Sequence, residues 1–335
     1  MVGSTRTQGI AGVRAYLFDA QGEDRDVAVD REVVDSLGED HLLWIDADLN
    51  DPDATREVAA VLGLNDRVLN GLLSDEAVEP AVVDHAEYLH LHVCEAVKTE
   101  KGYEPRVLKC VLGTGWMLTG HYGDVTFVRR FADHIAGDSE LGRLNTRAFL
   151  AKLLDWHLSS YFQAVESIER EVDDLDERLL GDKPCNRRTM LVLALLRRRV
   201  AQLRRLLAPH REVYAILAHP KFAPIESNDD ADLFPLLNER LARAIDAVEN
   251  AREMLIGSYD IYMTQLSQRT NDVMKVLTIT SVLLLPPTMI AGILGMNFQP
   301  LPAIFHGTSH FWITVCLMAV LSTCVLLVAK LRSWL

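Results

Sequence analysis

Thr270-Asn-Asp-Val-Met-Lys275, then an uncharged run from Val276 to Met296, then Asn297-Phe-Gln-Pro300: this stretch decides the architecture. The run holds 21 residues without a charged side chain. At 1.5 Å rise per residue it makes a helix of about 31 Å, the thickness of a bilayer's hydrocarbon core. It is not a plain lipid anchor, because it contains Thr278, Thr280, Ser281, Pro286, Pro287, Thr288, Gly292 and Gly295. Hydroxyls and helix breakers inside a bilayer require neighbouring helices or water to satisfy the freed backbone groups.

Working outward, a second uncharged run, Phe311–Ala329, spans 19 residues, and 14 residues (297–310) separate the two. The chain therefore reads as a membrane hairpin with a short outer loop. Arg269 and Lys275 precede the first span, Lys330 and Arg332 follow the second, and the loop has neither Lys nor Arg. The positive-inside rule then places both termini, and the large N-terminal part, in the cytoplasm. Upstream, no helix breaker intervenes between Pro235 and Pro286, so one long helix is expected to run into the first span. Leu241, Ile245, Val248, Arg252, Leu255, Tyr259, Tyr262 and Leu266 follow 4-3 spacing. A coiled-coil seam between copies and a core stripe within one copy both fit that pattern.

Residues 1–142 read as an α/β domain. Strand patterns cover Val13–Phe18, Leu42–Ile45, Glu87–Val93, Pro105–Val111 and Trp116–Thr119. Helical spacing covers Asp51–Leu62, Asp66–Leu73 and Val125–Ala136. Residues 143–231 read as a helical hairpin turning at Gly181-Asp-Lys-Pro184, with an acidic first arm (Glu166 to Glu177) and an arginine-rich second arm. Lys221–Asp232 reads as a linker. The remaining divisions are a stalk helix at 232–275, a first span at 276–297, an outer loop at 298–310, a second span at 311–329 and a basic tail at 330–335. The expected fold is thus an α+β cytoplasmic domain, a long helical stalk and two C-terminal transmembrane helices.

A formal net charge of −13 argues against a nucleic-acid-binding surface. The five cysteines form no C-x-x-C pair, which argues against a disulfide framework or a thiolate zinc site. The first 14 residues lack the apolar core of a signal peptide. No P-loop, H-E-x-x-H or Ser-His-Asp order suggests an enzyme. His85, His90, His92 and His121 admit a metal reading, but a half-buried strand with polar residues on its wet side is favoured.

Two spans cannot enclose an aqueous path, so a pore needs several copies, by default in a closed ring. The long helix offers a lining stripe: Asp260, Ser267, Asn271, Met274, Thr278, Ser281, Leu285, Thr288 and Gly292. Steps of 7, 4 and 3 keep these on one face. Helix–helix packing uses the same small residues. Such a lumen suits a strongly hydrated dication, since Mg2+ sheds water reluctantly. Met274 and Leu277 would form apolar rings that close a path by dewetting.

Gly295-Met296-Asn297 ends the first of two C-terminal spans, after Thr270-Asn-Asp-Val-Met-Lys-Val-Leu-Thr-Ile279 and Pro286. Together with Ile290-Ala-Gly-Ile293 and the closing Ser333-Trp-Leu335, this resembles the CorA family of divalent-cation channels. The resemblance implies a selectivity filter at Gly295, Met296 and Asn297, and a pore lined by Asn271, Met274, Leu277, Thr288 and Asn297. It places Asp260 deeper on the cytoplasmic side and makes Asn297 and Asp260 the residues for metal contact. It implies a homo-oligomer of five subunits in a cell's inner membrane, with Mg2+, Co2+ or Ni2+ entering down the electrochemical gradient. The transported cation is then the only ligand, with no cofactor, and the partners are further copies of the chain and the bilayer, not nucleic acid.

Three departures stand beside it. Gln299-Pro-Leu-Pro-Ala303 lacks the family's loop carboxylates, and the loop holds His306 and His310 instead. Leu285 stands where a Met is common. A regulatory acidic position falls near Leu236. Leu207-Ala-Pro-His-Arg211 with Tyr214 resembles the zinc-transporting ZntB branch, so Zn2+ stays open as the cargo. From another class, a membrane-tethered receptor would fit the spans without the Gly-Met-Asn signature.

Overall fold

The computed structural model describes residues 10, 12–19, 24–38, 41–74, 79–85, 87–135, 145–181, 187–219, 233–296 and 308–331. They form two compact units that divide after Ser258.

In chain order the first unit contains β1 (Val13–Asp19), β2 (Arg25–Asp26), α1 (Arg31–Asp35), β3 (His41–Asp48), α2 (Pro52–Val61) and α3 (Asp66–Leu73). Then come β4 (Ala81–Asp84), β5 (Leu89–Thr99), β6 (Gly102–Gly113), β7 (Trp116–His121), α4 (Thr126–Ile135) and α5 (Thr146–Leu180). It continues with α6 (Arg187–Leu207), α7 (His210–Ala218) and the first part of α8 (Leu233–Gly295). The strands make one sheet in the order β2-β1-β3-β7-β6-β5-β4. Among the described residues only β3 and β7 pair in parallel; the other neighbours are antiparallel.

Helices cover both faces of the sheet, which is why Leu42, Leu43, Trp44 and Ile45 of β3 are all fully buried. Leu43, Ile45 and Ala47 pack with Val58 of α2 and Val68 and Leu72 of α3. Trp44, on the opposite face, meets Phe131 of α4 and Phe149 of α5. Removing each such side chain from water contributes about 1.5–3 kcal/mol. Local signals set the helix starts: Asp51 accepts from the Ala54 N–H, Asn65 from the Val68 N–H and Asn145 from the Ala148 N–H. The β5–β6 hairpin turns at Gly102, whose φ is +140°, and the Gln202 side chain of α6 occupies the space a Cβ would need. Gln202 Oε1 accepts from the Tyr103 N–H at 3.0 Å.

The expected strands and helices of residues 13–136 are present, with α1, β2 and β4 in addition. The second arm of the helical hairpin is two helices rather than one. Pro209 has no N–H to continue α6, so the chain restarts as α7. The expected linker at Lys221–Asp232 lies outside the described residues, as does all but Gly181 of the hairpin turn. Along α8, Leu241, Ile245, Val248, Leu255 and Tyr262 are buried, whereas Tyr259 and Leu266 are 44% and 42% exposed. The 4-3 stripe is therefore largely a core stripe of a single copy.

The second unit holds the remainder of α8 and α9 (Thr308–Leu331). Both helices contain apolar windows long enough to cross a bilayer, and neither window is buried by the chain itself.

Candidate functional site: the α8 stripe and its anchorage

α8 is continuous for 63 residues, about 95 Å at 1.5 Å per residue. Asp260, Ser267, Asn271, Met274, Leu277, Thr278, Ser281, Leu285, Thr288 and Gly292 all lie on it, exposed. Gly295 is its last residue, and the Met296 N–H follows with a 3.3 Å bond to Ile293 O. Asn297 lies outside the described residues, as does His306; His310 is in the first turn of α9, its side chain outside them.

The hydroxyls of the apolar segment satisfy themselves locally. Thr278 donates to Met274 O at 2.8 Å, Thr280 to Val276 O at 2.8 Å and Ser281 to Leu277 O at 2.9 Å. Each is a bond to the carbonyl one turn back, which lets a polar group sit on an apolar helix at little cost. Pro286 and Pro287 interrupt the ladder without breaking the helix. Neither has an N–H, so the carbonyls four residues earlier, on Val282 and Leu283, lose their helical donors. Thr288 back-bonds instead to Leu284 O and Leu285 O. At 100° per residue Val282 borders the face of Thr278, Ser281 and Thr288, whereas Leu283 lies on the opposite face.

The head of α8 is fastened to the helical layer at three places. Arg240 Nη1 reaches Asp155 Oδ1 at 2.5 Å, Nη2 reaches Ser159 Oγ at 2.8 Å, and its guanidinium lies over the Phe162 ring of α5. Arg204 of α6 pairs with Glu249 at 2.9 Å. The Arg147 guanidinium of α5 lies 5.4 Å from the Phe234 ring centroid. Within the hairpin, Glu171 accepts from both Arg199 and Lys98, tying α5 to α6 and to β5. Arg240 and Asp155 carried no signal in the sequence, because nothing local marks one ion pair among many charged helix residues.

The histidines differ from expectation. His90 and His92 share a strand face, but the face is buried, not wet: they are 4% and 9% exposed. α3 covers them, and Gly71 gives the room, since a Cβ there would stand 3.0 Å from His90 Cε1. Burial lowers their pKa values, to about 3 for His90 and about 4 for His92, with Lys109 adding to both. Lys109 is itself buried, its ammonium donating to the carbonyls of Gly71, Leu72 and Ser74 at the end of α3. His121 stands apart. Burial works against its charge, yet the hydrogen bond and charge of Asp46 prevail and raise its pKa. The ZntB-like His210 and Tyr214 also turn inward: His210 accepts from the Cys94 N–H at 3.0 Å, and Tyr214 meets His157. His210 thereby ties α7 to the β5 backbone, and Tyr214 ties α7 to α5.

Comparison with known proteins gives the chain a family. The family model described as "CorA-like Mg2+ transporter protein" matches residues 39–331. The cobalt/magnesium transport protein CorA of Thermotoga maritima is 31% identical over 186 residues, 56% of this chain and 52% of that one. The zinc transport protein ZntB of Yersinia enterocolitica is 28% identical over 186 residues, 54% of each chain. Among solved structures, the CorA magnesium transporter of Methanocaldococcus jannaschii superposes with a TM-score of 0.78 at 22% identity. That match covers 96% of this chain and 98% of the other.

Proposed function

The chain belongs to the CorA-like Mg2+ transporter family, a family of membrane divalent-cation transporters rather than enzymes, and on that premise we propose that it is a homo-oligomeric channel, of five subunits, for Mg2+ with Co2+ and Ni2+. The ions enter down the electrochemical gradient across an inner membrane, with both termini cytoplasmic. α8 lines the path, and Gly295, Met296 and Asn297 form its mouth. Met274 and Leu277 form its narrow apolar gate, with Asn271 as a polar ring below them and Asp260 further in.

One observation carries this reading. A single helix leaves the soluble unit and takes a stripe of Thr, Ser and Gly through an apolar segment that its own chain leaves unburied. Two spans enclose nothing, so copies of α8 must surround the path. A full charge at mid-bilayer would bind a dication too firmly to release it, and the segment from Val276 to Met296 has none.

Uptake into proteoliposomes, with Mg2+, Co2+, Ni2+ and Zn2+ tested side by side, decides the cargo. Asn297→Ala and Gly295→Ala should each reduce Mg2+ flux at least tenfold while the oligomer stays intact. The Asn amide is the one side chain expected to face the entering ion, and Gly allows backbone angles that Ala resists. Wild-type flux in a well-assembled Asn297→Ala variant would overturn the mouth, and Zn2+ flux far exceeding Mg2+ flux would replace magnesium by zinc.

A further inference from the structure

β5 carries a second arrangement of metal-binding chemistry, away from α8. His90 Nε2 and His92 Nε2 stand 2.8 Å apart. Their rings are nearly perpendicular, at 85°, with centroids 4.3 Å apart. Two imidazole nitrogens bound to one ion at about 2.0–2.1 Å are about 2.9 Å apart at the right angle of an octahedral shell and about 3.3 Å apart at the tetrahedral angle. The pair therefore already has the spacing of two ligands on a common metal.

As a hydrogen-bonded pair, one Nε2–H donates to the other Nε2. A cation between the rings would replace that single proton and take a lone pair from each Nε2, while His92 Nδ1, without a partner among the described residues, stays unpaired in either case. Among the described residues no third His, Cys, Asp or Glu completes the pair as it stands. His85, just after β4, is a further imidazole on this side of the sheet, half-buried, its ring centroid 6.2 Å from that of His90. The neighbouring Lys109 ammonium is committed to three carbonyls at the C-terminus of α3, the end of a helix that favours cations. The donors are neutral imidazoles without a carboxylate. Zn2+, Co2+ and Ni2+ accept that set, whereas Mg2+ demands oxygen.

We propose that His90 and His92, with His85 as third ligand and water completing the shell, form a binding site for a borderline transition dication in the sheet unit. The site distinguishes transition ions from Mg2+, and it joins the end of β4 to β5.

The test uses the full chain in detergent micelles with CoCl2 as the probe. Visible absorption of bound Co2+ reports nitrogen coordination, and thermal unfolding checks the fold of each variant. The expected result is one imidazole-bound Co2+ per chain, displaced by ZnCl2 but not by excess MgCl2. It should be lost in His90→Ala and His92→Ala, and weakened at least tenfold in His85→Ala, which removes a half-buried ring and leaves the core untouched. Asn297→Ala should leave the Co2+ spectrum unchanged, which separates this site from the ion path whatever the fate of the transport reading. No Co2+ spectrum in the wild type would overturn the proposal and leave a buried hydrogen-bonded pair only. So would one unaltered in His85→Ala, or one displaced by MgCl2.

Discussion

Cys94 organises four buried rings around one backbone position. β4 pairs with β5 only as far as His92, so beyond it the edge N–H and C=O of β5 need other partners. His157 Nε2–H and Tyr161 O–H donate to Cys94 O at 2.9 and 2.7 Å, and His210 Nε2 accepts from the Cys94 N–H at 3.0 Å. The bond from the Cys94 N–H fixes His210 as a neutral tautomer, and burial holds the His157 pKa down at about 4 and that of His210 well below its usual range. In the unfolded chain both take up a proton near pH 6.5. Stability is then greatest above about pH 6.5 and declines as pH falls toward 4, by about 3 kcal/mol for His157 alone. Tryptophan-monitored denaturation between pH 7 and 4.5 should show this slope, and His157→Phe should flatten it. An unchanged slope in that variant would assign the acid sensitivity elsewhere. None of this was legible beforehand: His157 sits in an ordinary helical stretch, and its partner is 63 residues away in sequence.

At the scale of elements, α8 carries two stripes with different tasks. Leu241, Ile245, Val248, Leu255 and Tyr262 are buried, and Arg240, Glu249 and Phe234 fasten the same part of the helix to α5 and α6. Ile256, Tyr259, Met263, Leu266 and Val273 are 42–67% exposed and follow 3-4 spacing with Thr270 between them. The second stripe runs on to Leu277, so it has the heptad pattern of a helix that meets other copies of itself. Met263→Glu would place a charge in that seam. Light scattering in micelles should then show a smaller assembly, while the first unit's unfolding midpoint stays put; an unaltered oligomer would exclude the seam. The length of α8 was legible from the absence of breakers between Pro235 and Pro286. Its passage through Pro286-Pro287 was legible only as a membrane feature, since a soluble helix would lose about 3 kcal/mol there. The short α1, β2 and β4 were not legible, because two to five residues carry no periodicity and depend on neighbouring strands for their shape.

For the whole molecule the question is how a soluble sheet unit and an apolar helix make one device, and α8 is the physical link. Its head is held by Arg240 and Arg204, its lower stripe is free to meet further copies, and its stretch at Met274 and Leu277 is apolar and exposed. Thr278 and Ser281, the next polar positions on the stripe, spend their hydroxyl protons on their own helix, so neither offers water a free hydroxyl donor on that face; Lys275, which follows Met274 in sequence, is about a quarter-turn away from it and beside Asp272. In the proposed ring, such helices at that level would resist wetting, and a narrow dry segment would block a hydrated dication without any plug. A carboxylate placed in the constriction would hydrate it permanently. Met274→Asp or Leu277→Asp should therefore raise resting Mg2+ flux several-fold in proteoliposomes and weaken inhibition by Mg2+ on the side of the soluble unit. Thr278→Val, which removes a hydroxyl already satisfied within its own helix, should leave resting flux near that of the wild type. If both aspartate variants stay closed while assembling normally, the constriction lies elsewhere along α8, and the freed carbonyl of Val282 becomes the next level to probe.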